Sequence, residues 1–445
     1  MKPSRFKPKK FLSSLSRPPR TPIFASLGLT LLLLLARPLV VWAAPPFTPV
    51  ELDKALQPLV QNGGVIVGGN GAVLYEYQPG HYKPASIIKL ATSLAALHYL
   101  GPDYHFHTDV YRDGDTLYLR GYGDPFLVSE EWSAMALELA QRGLFDTPLG
   151  ALVLDTQALS PELDVDGLSD SLNPYDAPLG ALVANFNTIY VQVHKGGRVE
   201  SAEPQTPLTP IARKLALTLR PGTHRINLAA KGIVGVDYTA ELAREIFQQA
   251  GAKFTQSPRT GIVPAGLKPV LVYRNSRPLS EILRQLLEFS NNFTANQIVL
   301  AIALEKKGEP AHLADGISLI LEHLRERLSL ATEDLILVEG SGLSLKNQVS
   351  LKTMLRITDA FYPWRQLLKM HGHPPYEVPA KTGSMTHIYT LAGFLPAPEG
   401  ERRPFVIMLN QRRHVREEIL HVLMDTFSLP EPPMADSQAA GPVQP

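Results

Sequence analysis

Three short stretches of this chain carry side chains that could perform acyl transfer. In P-A-S-I-I-K-L, residues 84–90, Ser86 and Lys89 stand three apart where an apolar run begins. On a helix that spacing is close to one turn and puts both side chains on one face. A serine hydroxyl is a weak nucleophile until a base takes its proton, and a lysine can be that base only when neutral. By itself the pair reads equally well as the polar start of a buried helix. Downstream lie S-N-N at 290–292 and K-T-G-S at 381–384. Ser290 could relay a proton to a leaving amine. Asn292, both donor and acceptor, could hold Lys89 and a substrate amide. Thr382 and Ser384 offer hydroxyls and backbone N–H groups to a ligand laid alongside as an extra strand, and Lys381 and Gly383 complete that stretch. Taken singly, S-N-N is most simply a helix stop and cap, and K-T-G a solvated strand end.

The elements around these residues decide how they meet. Residues 86–100 are apolar almost all round and are stopped by Gly101-Pro102, which predicts a helix in the middle of a domain. That placement desolvates Lys89, and both burial and the cation Lys381 would lower its pKa. Ser86, at the start of this helix, would lie beside the positive end of the helix dipole. Before it, residues 47–61 predict a helix and V-I-V-G-G-N-G-A-V-L-Y-E-Y a hairpin. From 103 to about 262 short strand-like runs dominate (H-F-H-T-D-V-Y, T-L-Y-L-R, A-L-V-L-D, T-I-Y-V-Q-V, R-I-N-L-A-A), with helical patches at 130–142 and 238–249. Helical patterns follow at 279–287, 294–305 and 316–328. The strands Y-E-V-P-A-K-T-G, Y-T-L-A-G-F-L and P-F-V-I-M-L-N come next, and a closing helix at 415–427. The expected layout is one domain from 44–102 and 262–429, interrupted by a β-rich insert at 103–261.

Composition bounds the rest. The 445 residues are 44% hydrophobic and 19% charged, with a net charge of +1, so no global field points to nucleic acid. The absence of cysteine excludes disulfides and thiolate chemistry. Lys2, Arg5, Lys7, Lys9, Lys10, Arg17 and Arg20 precede an apolar run and V-W-A-A, the layout of a secretory signal over 1–43, cut before Ala44. An uncleaved anchor is the alternative, disfavoured because Arg37 and Pro38 interrupt the run. The protein is expected to be exported to the periplasm or cell envelope, with membrane contact only where the leader stays attached. Residues 430–445 read as a disordered tail. The pairs His105/His107 and His371/His373 lack a carboxylate at matched spacing, and the glycine runs read as turns, so no metal or cofactor is expected.

S-x-x-K, S-x-N and K-T-G in this order are the signature of penicillin-binding proteins and class A β-lactamases. The region P-A-S-I-I-K-L-A-T-S-L-A-A-L-H-Y-L-G-P-D-Y-H-F-H-T resembles the active-serine region of low-molecular-mass class C penicillin-binding proteins, which are serine D-alanyl-D-alanine carboxypeptidases and endopeptidases. L-Y-L-R-G-Y-G-D-P-F-L, N-P-Y-D-A-P-L-G-A-L-V-A-N-F-N and E-G-S-G-L-S resemble them too, and the long stretch between Ser86 and Ser290 matches that family's insert. The resemblance covers about 64–423. It departs at Ile87, where threonine is usual, and at Met385, where leucine is usual; neither position supplies chemistry.

The resemblance implies an α+β fold: a penicillin-recognising serine transferase domain, DD-peptidase/β-lactamase-like, with an antiparallel sheet flanked by helices and a large β-rich insert. It implies catalytic Ser86, Lys89, Ser290 and Asn292, and substrate-binding Lys381, Thr382, Gly383 and Ser384. The N–H groups of Ser86 and Ser384 would form the oxyanion hole, and Lys381 and Thr382 would receive the carboxylate of a terminal D-alanine. The implied partners are peptidoglycan stem peptides, with β-lactam antibiotics as covalent inhibitors. Asp124 and Asn185, inside family-like segments, read as structural. A β-lactamase is the enzymatic alternative, but R-E-R-L-S-L-A-T-E-D-L holds no E-x-x-L-N. A catalytically silent penicillin-binding scaffold would lack a serine, lysine or asparagine of the three motifs, and none is missing.

Overall fold

A computed structural model of the chain describes residues 48–228 and 235–428. The expected leader, its cut before Ala44, the tail at 430–445 and the end of R-I-N-L-A-A lie outside the described residues. Among those described, no helix is long and apolar enough to cross a membrane.

A six-stranded antiparallel sheet runs in the order Met370–His373, Tyr376–Met385, Ile388–Leu395, Arg403–Leu409, Gly63–Gly69, Ala72–Tyr77. Three of its inner strands, Ile388–Leu395, Arg403–Leu409 and Gly63–Gly69, are buried on both faces because helices cover both. Successive side chains of a strand point to opposite faces, and the sequence sorts accordingly. Val65, Val67, Phe405, Ile407 and Leu409 join Leu52 and Leu56 of the Pro49–Leu56 helix and Ile419, Leu420 and Leu423 of the Arg416–Phe427 helix. Ile66, Val406 and Met408 join the other layer, built on the helices Lys89–Tyr99, Leu279–Phe289, Asn292–Lys307, Leu313–Leu328 and Leu351–Ala360. The most enclosed of these is Lys89–Tyr99, buried without interruption from Lys89 to Leu97.

Between these two stretches of sequence the chain builds a separate core. A five-stranded sheet runs in the order Arg259–Thr260, Leu152–Asp155, Thr116–Gly121, His107–Asp113, Leu271–Arg274. Its last strand pairs with His107–Asp113, so the sheet takes in residues beyond 261. The helices Ser129–Gln141 and Gly235–Gln249 pack on it through Trp132 and Phe247, both fully buried. A three-stranded sheet, Val199–Ser201, Thr188–Val193 and Gly222–Asn227, shares that core.

The first helix is shorter than the 47–61 pattern suggests. Thr48 and Glu51 form a capping box at its start, and it ends at Leu56, where the Pro58 ring cannot tolerate the helical carbonyl four residues back.

Candidate active site

Ser86 is not on an α-helical N-terminus, as the apolar run suggested. Residues Ala85–Ile88 form a 3₁₀ turn, and the α-helix begins at Lys89. Ala85 sits at φ +47°, a conformation that non-glycine residues seldom adopt. Two neighbours impose it. Thr390 Oγ1 donates to the Pro84 carbonyl at 2.8 Å, and Gly342 lies so close that a Cβ there would meet the Ala85 oxygen at 2.0 Å. In a 3₁₀ turn residues three apart eclipse one another, so Ser86 and Lys89 still share a face.

Lys89 Nζ donates to Ser86 Oγ at 3.1 Å, Asn292 Oδ1 at 2.8 Å and the Ser341 carbonyl at 2.6 Å. These contacts suit both protonation states. An ammonium donates to all three; a neutral amine donates to two and accepts from the Ser86 hydroxyl. Lys89 is wholly buried, and that burial, reinforced by the Lys381 cation and partly opposed by Glu339, pushes its pKa well below the ordinary lysine value.

Ser290 and Asn292 reach the site through a break between two helices. Leu279–Phe289 ends at Ser290 in the left-handed conformation (φ 59°, ψ 34°), and Asn291 caps the next helix by accepting from Thr294 N–H. Lys381 Nζ donates to Ser290 Oγ at 2.9 Å and to the Thr382 carbonyl at 2.7 Å. Burial, then the charge of Arg416, lowers the Lys381 pKa to about 7.

The Tyr376–Met385 strand brings residues 381–384 alongside Ser86. A Cβ on Gly383 would lie 2.8 Å from Ser86 N and 2.3 Å from Thr390 Oγ1, so only glycine permits this approach. On its other side the strand pairs with Met370–His373 only as far as Pro379. Beyond the Ala380 N–H bond to the Lys369 carbonyl, that edge is open at Thr382 to Ser384, and an extended ligand could pair there.

The eight residues singled out in the sequence therefore meet in one place. Residues 173–176 of the inserted stretch border it, since Asn292 Nδ2 donates to the Tyr175 carbonyl at 3.5 Å. Asp124 and Asn185 are buried within the scaffold, Asp124 bonded to Phe126 N–H and Asn275, Asn185 to Ser129. His371 pairs with Glu417.

Two charged residues escaped the sequence reading. Glu339 opens E-G-S-G-L-S, a stretch noticed only as a resemblance. Arg416 begins the closing helix and donates from Nη1 to the Thr390 carbonyl at 3.2 Å and the Gly383 carbonyl at 3.4 Å. Nothing local in the sequence distinguishes Arg416 from a solvated helix charge; only the fold carries it under residues 383–390. Arg416→Met, by removing a nearby cation, is expected to raise the Lys381 pKa by up to about one unit from about 7. An NMR titration of the Lys381 amine checks it, and an unmoved midpoint would assign the whole depression to burial.

The family model described as the D-Ala-D-Ala carboxypeptidase 3 (S13) family matches residues 51–220, 221–371 and 364–426. The chain is 30% identical over 419 residues to a D-alanyl-D-alanine carboxypeptidase of Actinomadura sp. (strain R39), covering 78% of this chain and 77% of that protein. It is 23% identical over 451 residues to the D-alanyl-D-alanine carboxypeptidase DacB of Haemophilus influenzae, covering 83% and 90%. The crystal structure of penicillin-binding protein 4 (DacB) from Haemophilus influenzae superposes with a TM-score of 0.68 at 21% identity, over 83% of this chain and 97% of that one. The same protein complexed with a β-lactam superposes at 0.64 and 22% identity, over 84% and 98%.

Proposed function

The chain belongs to the D-Ala-D-Ala carboxypeptidase 3 (S13) family and is a serine-type D-Ala-D-Ala carboxypeptidase, and from that premise we propose that Ser86 is its nucleophile and Lys89 its base. The observation that carries this is the Lys89 amine, sealed from water, 3.1 Å from Ser86 Oγ and bonded otherwise only to neutral oxygens.

Neutral Lys89 takes the Ser86 proton as Ser86 Oγ attacks the carbonyl of the penultimate D-alanine. The oxyanion that develops faces the backbone N–H groups of Ser86 and Ser384, which are worth most in a site closed to water. Collapse breaks the carbon–nitrogen bond. The proton passes through Ser290 to the departing amine, leaving an ester on Ser86. Water then attacks the ester, giving its proton to Lys89, and the Ser86 hydroxyl is restored. Lys381 and Thr382 receive the free carboxylate of the terminal D-alanine. Gly383 lets the strand lie against Ser86, and the substrate backbone adds to the open edge.

The substrates are peptidoglycan stem peptides, cut as a carboxypeptidase or, across a cross-link, as a DD-endopeptidase. β-Lactams acylate the same serine because the lactam carbonyl mimics the scissile amide, while the leaving amine stays tethered. Among the described residues, those within 44–102 and 262–429 carry the catalytic domain and those within 103–261 the insert that borders its site, with Leu271–Arg274 going to the insert's sheet and core. The leader exports the enzyme to the cell envelope.

Benzylpenicillin is expected to add one adduct per chain, mapped by peptide mass analysis to the peptide containing Ser86. Ser86→Ala should fold and take no label; a label that persists there would reject Ser86 as nucleophile.

A further inference from the structure

Accepting a proton turns Lys89 into a wholly buried ammonium beside a second lysine. Its three hydrogen-bond partners, Ser86 Oγ, Asn292 Oδ1 and the Ser341 carbonyl, are all neutral. The charged groups that face it are Lys381, from the Tyr376–Met385 strand, and Glu339, from the loop that carries Ser341. The facing helix contributes only the neutral Asn292. A buried charge without compensation is costly.

Glu339 is wholly buried, and its carboxylate is among the most heavily bonded groups in the molecule. Oε2 accepts from Ser341 N–H at 2.7 Å, Ser341 Oγ at 2.6 Å and Asn296 Nδ2 at 3.0 Å. Oε1 accepts from Gly342 N–H at 2.7 Å, Ser344 N–H at 3.2 Å and Asn347 Nδ2 at 2.7 Å. The loop is thus wound around one carboxylate, and the peptide whose Ser341 carbonyl turns to Lys89 gives its Gly342 N–H to Glu339. Its continuation places Gly342 against the strained Ala85. The mechanism above gives this anion no task.

We propose that Glu339 is a positioning residue for the nucleophile–base pair: it fixes the Ser341 carbonyl on Lys89 and, through that peptide, supplies the negative charge that stabilises the ammonium formed when Lys89 takes the Ser86 proton. The proposal rests on the Ser86–Lys89 reading. It excludes direct proton transfer by Glu339, whose oxygens are spent on six donors. Its charge works on Lys89 through the intervening peptide, and the direction is the one it exerts on Lys89, opposing burial and Lys381. Removing the charge should make Lys89 a weaker base with a lower pKa.

The test is the pH profile of Ser86 acylation by a chromogenic cephalosporin, followed by stopped flow from pH 5 to 10. Glu339→Gln keeps the shape and loses the charge. Its plateau rate is expected to fall roughly 10- to 100-fold, and the midpoint of the rise to move down by about one pH unit. The midpoint belongs to Lys89 and Lys381 as a coupled pair, so shifts are compared and not assigned to one group. A role in holding the loop alone would lower the plateau and leave the midpoint unmoved, which would overturn the proposal. The Gln amide faces donors, so a second variant guards against misfolding. Glu339→Gln/Asn347→Asp gives the Gln amide one acceptor where Asn347 was a donor and keeps one carboxylate, on the side of the cluster away from Ser341. Its midpoint is expected between those of the wild type and Glu339→Gln, or below the wild type where the single variant does not fold; a midpoint equal to the wild type would reject the proposal. Labelling of the wild type separates the two readings: no adduct on Ser86 rejects the nucleophile and Glu339's role with it, whereas normal labelling with unmoved midpoints rejects Glu339 alone.

Discussion

Lys89→Arg is expected to acylate with β-lactams at a rate reduced about 1,000-fold or more, nearly as completely as Lys89→Ala. Arginine keeps the positive charge but never gives up its proton near neutral pH, so it can pair with Asn292 and still cannot serve as base. The wild-type rate should rise with pH and then level off. Only the neutral amine accepts the Ser86 proton, and the neutral fraction grows as pH rises through the Lys89 pKa, which burial and Lys381 hold well below the ordinary lysine value. Residues that act as a unit lose their effects together, so Ser86→Ala/Lys89→Ala should be little worse than Ser86→Ala. Stopped-flow acylation across pH 5 to 10, with thermal unfolding to verify the fold, checks both statements. Acylation close to wild type in Lys89→Arg would leave Lys89 an electrostatic bystander.

Gly383→Ala is expected to cost about 100-fold in acylation through a single methyl group. The added carbon cannot coexist with Ser86 N at 2.8 Å or Thr390 Oγ1 at 2.3 Å. Either the strand retreats from the nucleophile or the turn at Ala85 shifts. In both cases the proposed oxyanion hole of the Ser86 and Ser384 N–H groups is disturbed. Overpacking of this kind destabilises by about 1–3 kcal/mol, which the rest of the sheet can absorb. The discriminating result is therefore a chain that unfolds cooperatively, within several degrees of the wild type, and acylates slowly. Unimpaired acylation would mean that close approach of strand and serine is not required.

Much of this site was legible because each motif is short and contiguous. S-x-x-K, S-N-N and K-T-G-S each read alone as a helix start, a cap or a strand end, but their order and the family resemblance singled out Ser86, Lys89, Ser290, Asn292 and Lys381–Ser384 as candidates. The strands of the central sheet were legible for a related reason: Val65 to Val67 and Phe405 to Leu409 are apolar without interruption, as strands covered on both faces must be. What could not be read depends on tertiary contact. The 3₁₀ turn at 85–88 arises from Thr390 and Gly342, both far along the chain, and the local apolar pattern predicted a plain helix there. Arg416 acquires its role only when the closing helix docks beneath the sheet. Glu339 looked like any loop glutamate until six donors were seen to converge on it. The strand Leu271–Arg274 is a few residues with no strong alternation, and its partner His107–Asp113 alone decides where it belongs.

The order of strands in the central sheet also governs when the enzyme can become active. The Gly63–Gly69 strand takes Ala72–Tyr77 on one side at once but must wait for Arg403–Leu409 on the other. A ribosome or a translocation channel delivers the chain from its N-terminus, so Val65–Ile66–Val67 emerges with one ladder unpaired and its faces only partly covered until nearly the whole chain has followed. Long-range pairing of this kind is slow to close. The same delay applies to the nucleophile. Ser86 is present early, but the residues that clamp its turn and bury its lysine arrive at 290–292, 339–344 and 381–390. The nascent chain is therefore latent by construction: a peptidase appears only when the last sheet strands dock, and an interrupted product carries the serine without the activity.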